Sequence, residues 1–122
     1  YGRIEYGPVR VDAPVLEWDG ALKVRATVRN VGACMADEVV QLYLHDRVAS
    51  RVRPVRELKG FRKLALAPGQ SCEVVFELDR GQLAFTRADG SFGAEPGRFE
   101  VWIAPSAAAG EPAGFELLQP PA

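Results

Sequence analysis

At 122 residues, 48% hydrophobic and 25% charged, with a formal net charge of −1, the chain is the size of one domain and can bury an ordinary core without staples. The near-neutral balance gives no general attraction to nucleic acid or to an acidic membrane. No apolar run approaches the ~20 residues that span a bilayer, and no signal-peptide pattern is present.

Tyr1 stands where an initiator Met would, so the chain is expected to be a processed or excised piece of a longer protein. Residues 1 to 18 read as an edge segment, Arg3 to Tyr6 and then Val9 to Trp18. Gly7-Pro8 and Ala13-Pro14 interrupt it, and proline suits an edge strand because it has no N–H to give a ladder. Asp19-Gly20 predicts a two-residue hairpin turn. In the strand that follows, Leu22, Val24, Ala26 and Val28 alternate with Lys23, Arg25, Thr27 and Arg29, one face apolar and one wet. Asn30 to Asp37 is a loop, with Gly32 the expected positive-φ position.

A central strand then runs from Glu38 to His45. Val40, Leu42 and Leu44 share its core face, which should lie opposite the apolar face of 22–28 in a second sheet. Gln41, Tyr43 and His45 share the other face. Residues 45 to 53 are a polar excursion, and Glu57 to Leu66 returns as a strand whose parity slips. Phe61 and Leu64 cannot share a face unless a bulge intervenes near Gly60. Ala67-Pro68-Gly69-Gln70 predicts a type II turn. Cys72, Val74, Phe76 and Leu78 then alternate with Glu73, Val75 and Glu77.

Gln82 to Phe85 fits a short helical turn or a brief strand, and Asp89-Gly90 another turn. Phe99, Val101 and Ile103 point inward, with Arg98, Glu100 and Trp102 outward. Residues 105 to 114 form an Ala/Gly/Pro loop, Phe115 to Leu118 a last strand, and residues 119–122 a tail after a domain of residues 1–118. About seven strands, turn signals every ten residues or so and no long helix predict an all-β fold. That fold is an immunoglobulin-like, fibronectin III-like β-sandwich in two sheets.

Five segments occur in an order that resembles the C-terminal fibronectin type III-like domain of family-3 glycoside hydrolases. They are Asn30-Val31-Gly32, Glu38-Val39-Val40-Gln41-Leu42-Tyr43, Arg53-Pro54, Glu57-Leu58-Lys59-Gly60-Phe61 and Leu66-Ala67-Pro68-Gly69. Arg3-Ile4-Glu5-Tyr6 and the stretch from Glu95 to Val101 follow the same pattern more loosely. The end departs from it, with Ala104-Pro105-Ser106 where family members often carry Gly and a Ser pair. The resemblance implies a non-catalytic accessory domain of a β-glucosidase or β-xylosidase, packed on and stabilising catalytic domains of the same polypeptide. It implies that the nucleophile and acid/base lie in those other domains. In some members, loops of this domain approach the active-site mouth. A periplasmic or extracellular setting is compatible with the family.

The residues themselves offer little for catalysis. A retaining glycosidase needs two carboxyl groups ~5–5.5 Å apart. Asp37 and Glu38 are adjacent, and neighbours in a strand point to opposite faces. His45 is the only His, and Ser50 lies nearby without a nucleophile elbow. One His and no C-x-x-C argue against a metal or other cofactor. Cys34 and Cys72 could be joined, or could be two partly buried free thiols.

Arg47, Arg51, Arg53 and Arg56 fall within ten residues, with Lys59 just beyond. Such a cluster either blocks strand-to-strand pairing at a sheet edge or forms a docking surface. By the resemblance, Arg53, Pro54, Glu57, Lys59 and Phe61 would lie near the junction with the catalytic domains. Trp102, outward by parity, could stack on a sugar ring or polymer, making the chain a polysaccharide- or lignin-binding module. It could equally be covered by a partner domain or the tail. Tyr43 shares that ambiguity.

Overall fold

The computed structural model describes residues 3–47, 56–86, 90–106 and 109–121. Eleven strands are assigned among them: β1 (Ile4–Tyr6), β2 (Arg10–Val11), β3 (Val15–Leu16), β4 (Leu22–Asn30), β5 (Ala36–Asp46), β6 (Glu57–Leu66), β7 (Ser71–Leu78), β8 (Phe85–Thr86), β9 (Phe92–Gly93), β10 (Gly97–Ala104) and β11 (Ala113–Leu117). β4 pairs with β7 on one side and with β1 and β2 on the other, giving a four-stranded sheet. The second sheet has the order β3-β11-β10-β5-β6, and β8 and β9 form a small separate ribbon. This is the all-β sandwich that the alternation implies.

The prolines explain why the N-terminal edge comes in three pieces. β1 and β2 lie end to end along β4, interrupted by Gly7-Pro8, where Gly7 N–H still reaches Thr27 O at 2.8 Å. After Ala13-Pro14 the chain crosses to the other sheet, where β3 runs parallel to β11. The Pro14 carbonyl accepts from Glu116 N–H at 3.0 Å. Proline breaks a strand but leaves its carbonyl available for pairing.

Both sheets contribute their alternating apolar sets to one core. Leu22, Val24, Ala26 and Val28 of β4 and Val74, Phe76 and Leu78 of β7 face Val40, Leu42 and Leu44 of β5 and Phe99, Val101 and Ile103 of β10. Leu16, Leu66, Phe115 and Leu117 complete it, with Phe99 and Phe115 stacked at 5.6 Å. Each Val, Leu, Ile or Phe among them contributes about 1.5–3 kcal/mol on full burial.

Local turn signals fared unevenly. Ala67–Gln70 forms the expected type II turn, with Gly69 at φ 80° and Gln70 N–H on Ala67 O at 3.0 Å. Asp19-Gly20 does turn the chain, closed by Gly20 N–H on Glu17 O at 3.0 Å, but it is not a hairpin. The strand before it, β3, belongs to one sheet and the strand after it, β4, to the other. Gly32 does not take a positive φ. Its loop is shaped instead by Asn30, whose Oδ1 accepts from Gly32 N–H at 2.9 Å, so the side chain closes the turn that a left-handed residue would otherwise make. Cys34 and Cys72 are both free, Cys34 exposed and Cys72 half-buried.

Candidate functional site

The bulge in β6 shapes the surface that matters most. Leu42 pairs with Gly60 and the next residue, Tyr43, with Leu58, so Lys59 is extra. Without it, Leu58 and Phe61 would point to opposite faces, since they are three residues apart. With it, both stand on the outer face of the five-stranded sheet, opposite Tyr43 and Gln41, each 54% exposed. Gly60 turns inward, where a Cβ would meet the Phe76 ring at 3.4 Å. The bulge therefore lies near Gly60 as expected, but it does not bring Phe61 onto the face of Leu64. Leu64 pairs with Glu38 on the core side while Phe61 stays outside. Val39, opposite Lys63, adds a third exposed apolar side chain to the same face.

Beside this strip the outer face is covered by the chain itself. Tyr43, Trp102 and Ala104 form a second small apolar cluster, joined by Ala109. The Arg56 guanidinium lies over the Trp102 ring at 4.2 Å, and its Nη1 donates to Ala109 O at 2.6 Å. Gln41 Nε2 donates to Pro105 O at 2.9 Å, and its Oε1 accepts from the Tyr43 hydroxyl. Pro105 and Ala109 are thus held over the sheet by Gln41 and Arg56. His45 stacks on Trp102 with centroids 6.5 Å apart, and its Nδ1 lies 3.6 Å from Glu100 Oε1. Among the described residues, His45 Nε2 and Trp102 Nε1 are buried with no hydrogen-bond partner.

The expected site residues therefore divide. Arg56 is engaged internally, not held out toward a partner. Trp102 stands on the outer side of the sheet, as parity expects, and of the two readings left open for it the covered one describes this structure, since it is only 7% exposed. Arg56 and Ala109 cover it, so a sugar ring could stack there only by displacing Arg56. Arg47 extends the ladder, its N–H on Arg98 O at 3.0 Å. Glu57 and Lys59 pair at 3.5 Å, and Phe61 is exposed. Arg51, Arg53 and Pro54 lie outside the described residues, as does Ser50.

Asp37 and Glu38 do not converge. Glu38 turns toward the other sheet and accepts from the Tyr6 hydroxyl at 2.6 Å, while Asp37 is exposed opposite Ala65. Partial burial, reinforced by the Glu38 bond, pushes the Tyr6 hydroxyl far above its ordinary pKa. Across the outer face of the four-stranded sheet, Arg25 makes a two-pronged contact with Asp12 at 2.8 and 2.9 Å and reaches Glu73 at 3.1 Å. Arg10 meets Glu73 at 3.2 Å. The hydrogen bonds from Arg25 hold the Asp12 carboxyl below its usual range. Among the described residues, no three His, Cys, Asp or Glu side chains gather as metal ligands.

The profile of the fibronectin type III-like domain matches residues 38–107. The chain belongs to that family. It is 36% identical over 118 residues to a periplasmic β-glucosidase of Salmonella typhimurium, covering 97% of this chain and 15% of that enzyme. To a putative β-xylosidase of Formosa agariphila it is 34% identical over 117 residues, covering 96% and 16%. A β-glucosidase structure from Erythrobacter marinus superposes with a TM-score of 0.87 at 32% identity, covering 96% of this chain and 16% of that one. This fibronectin type III-like domain thus spans about 15% of the length of its relatives, which are family-3 β-glucosidases and β-xylosidases.

Proposed function

We propose that this fibronectin type III-like domain is a non-catalytic accessory unit of a family-3 β-glycosidase, a β-glucosidase, that packs on the catalytic domains and stabilises them. The contact is the outer face of β5 and β6 together with the 47–61 region. One observation carries this reading: Val39, Leu58 and Phe61 stand 43%, 54% and 54% exposed on one sheet face of a domain that makes up only a small part of its relatives. Large apolar side chains gathered on one face mark a surface that another body covers. Lys59 and Lys63 flank the strip, so acidic side chains at the rim of the partner would suit it. The divergence of Asp37 and Glu38 supports a unit that leaves bond cleavage to other domains.

The test is deletion of the domain from the longer polypeptide. The expected result is a lower melting temperature together with loss of β-glucosidase turnover. A polypeptide that melts and turns over as before would overturn the proposal.

A further inference from the structure

The end of the sandwich at which β5 begins carries a second surface. From Asn30 to Ala36 the chain has no charged residue, and neither has the stretch from Leu64 to Cys72 beside it. Val31, Ala33, Cys34 and Met35 are all exposed, Met35 at 61% and Val31 at 38%. An apolar loop tip of this kind is normally either loose or covered.

This tip is not loose. Asn30, fully buried, ties both loops together through its side chain and its backbone. Its Nδ2 donates to Cys34 O at 2.8 Å and to Leu66 O at 2.9 Å, and its Oδ1 accepts from Gly32 N–H. Its own N–H reaches Gln70 O at 2.9 Å, and its carbonyl accepts from Gly69 N–H at 2.8 Å. A preorganised apolar surface binds without the entropy cost of ordering a loop.

The position of the tip names its occupant. Val31 N–H donates to Arg3 O at 2.8 Å, and Ile4 pairs with Asn30. Any polypeptide joined ahead of residue 1 must therefore leave within a few residues of the tip. Met35 is also the residue just before β5, four positions from the exposed Val39, with the exposed Asp37 between them.

We propose that the uncharged Val31–Met35 tip is a docking contact for the polypeptide that precedes this domain, and that it meets an apolar, uncharged patch there. The proposal rests on the accessory-domain reading and extends its footprint to the far end of β5. Cys34 serves as a built-in reporter, since its thiol is exposed in the domain alone. Alkylation by iodoacetamide, followed by peptide mapping, is compared between the 122-residue chain and the longer native polypeptide. The expected result is labelling of Cys34 at least about tenfold slower in the longer polypeptide, with Met35→Glu lowering the melting temperature of that polypeptide but not of the 122-residue chain. Equal labelling rates would sink the tip contact. If deletion of the domain still destabilises the polypeptide, equal rates remove only this inference. If deletion has no effect, the accessory reading fails as well.

Discussion

The outer faces of the two sheets lie on the same sandwich, and both alternate with the same core, yet they are furnished differently. Outside the four-stranded sheet, Arg25 bridges Asp12 and Glu73, and Arg10 also reaches Glu73. These four charges are paired across neighbouring strands, on a face whose other side chains include the charged Lys23 and Arg29. Outside the five-stranded sheet, Val39, Leu58 and Phe61 are exposed, and Arg56 is held down on Trp102. Opposite-charge pairs stabilise an exposed sheet modestly and keep it from sticking. Exposed Phe and Leu do neither. The contrast teaches that alternation specifies which side chains leave the core, while their chemistry decides whether the face they form is finished or awaits a neighbour.

The sharpest way to break this contrast is to uncover the part of the five-stranded face that the chain covers for itself. Arg56→Ala removes a cation–π contact and a hydrogen bond to the Ala109 carbonyl together. The expected cost is about 2 kcal/mol in the 122-residue chain, a fall of roughly 8 °C in melting temperature. Trp102 emission, read in a Trp18→Phe background, should shift to the red as the ring meets water. An unchanged spectrum would mean that Trp102 stays covered without Arg56, by neighbours such as Ala109.

Phe61→Ser probes the part left open. In the 122-residue chain it should change stability by less than about 0.5 kcal/mol, because Phe61 is already half in water. In the longer polypeptide it should cost about 1 kcal/mol more, the value of covering the exposed half of one large apolar side chain. Thermal melts of both forms check this. Equal, small effects in the two would show that the strip is never covered.

The same contrast explains what could be read in advance. Alternation over Leu22–Val28, Val40–Leu44, Cys72–Leu78 and Phe99–Ile103 laid out both sheets and the core, because strand parity is a local property of the chain. The slip at Gly60 was visible for the same reason. What covers Trp102 was not, because Arg56 lies 46 positions away along the chain and arrives only through the order of strands. Asn30 looked like a loop residue, since nothing local says that its amide would be buried between two loops. Asp19-Gly20 announced a turn but could not say that the strands on either side belong to different sheets.

The smallest expected effect belongs to the finished face. Asp12 is held below its ordinary carboxyl pKa of 3.8, first by hydrogen bonds from Arg25. A carboxyl whose folded pKa lies below its unfolded one contributes stability above the unfolded value and loses it as pH falls through the folded one. The melting temperature of the 122-residue chain should therefore decline below about pH 4, and Asp12→Asn should remove part of that slope. Because the pair is open to solvent, raising ionic strength from about 0.1 M to 1 M should shrink the difference between the two proteins. Melts across that pH range at both salt concentrations give the answer. The Phe61→Ser effect in the longer polypeptide, being apolar, should survive the same salt. If instead Asp12→Asn follows the parent curve throughout, the Arg25 network contributes nothing in acid, and the four-stranded face owes its finish to hydration of its charges, not to their pairing.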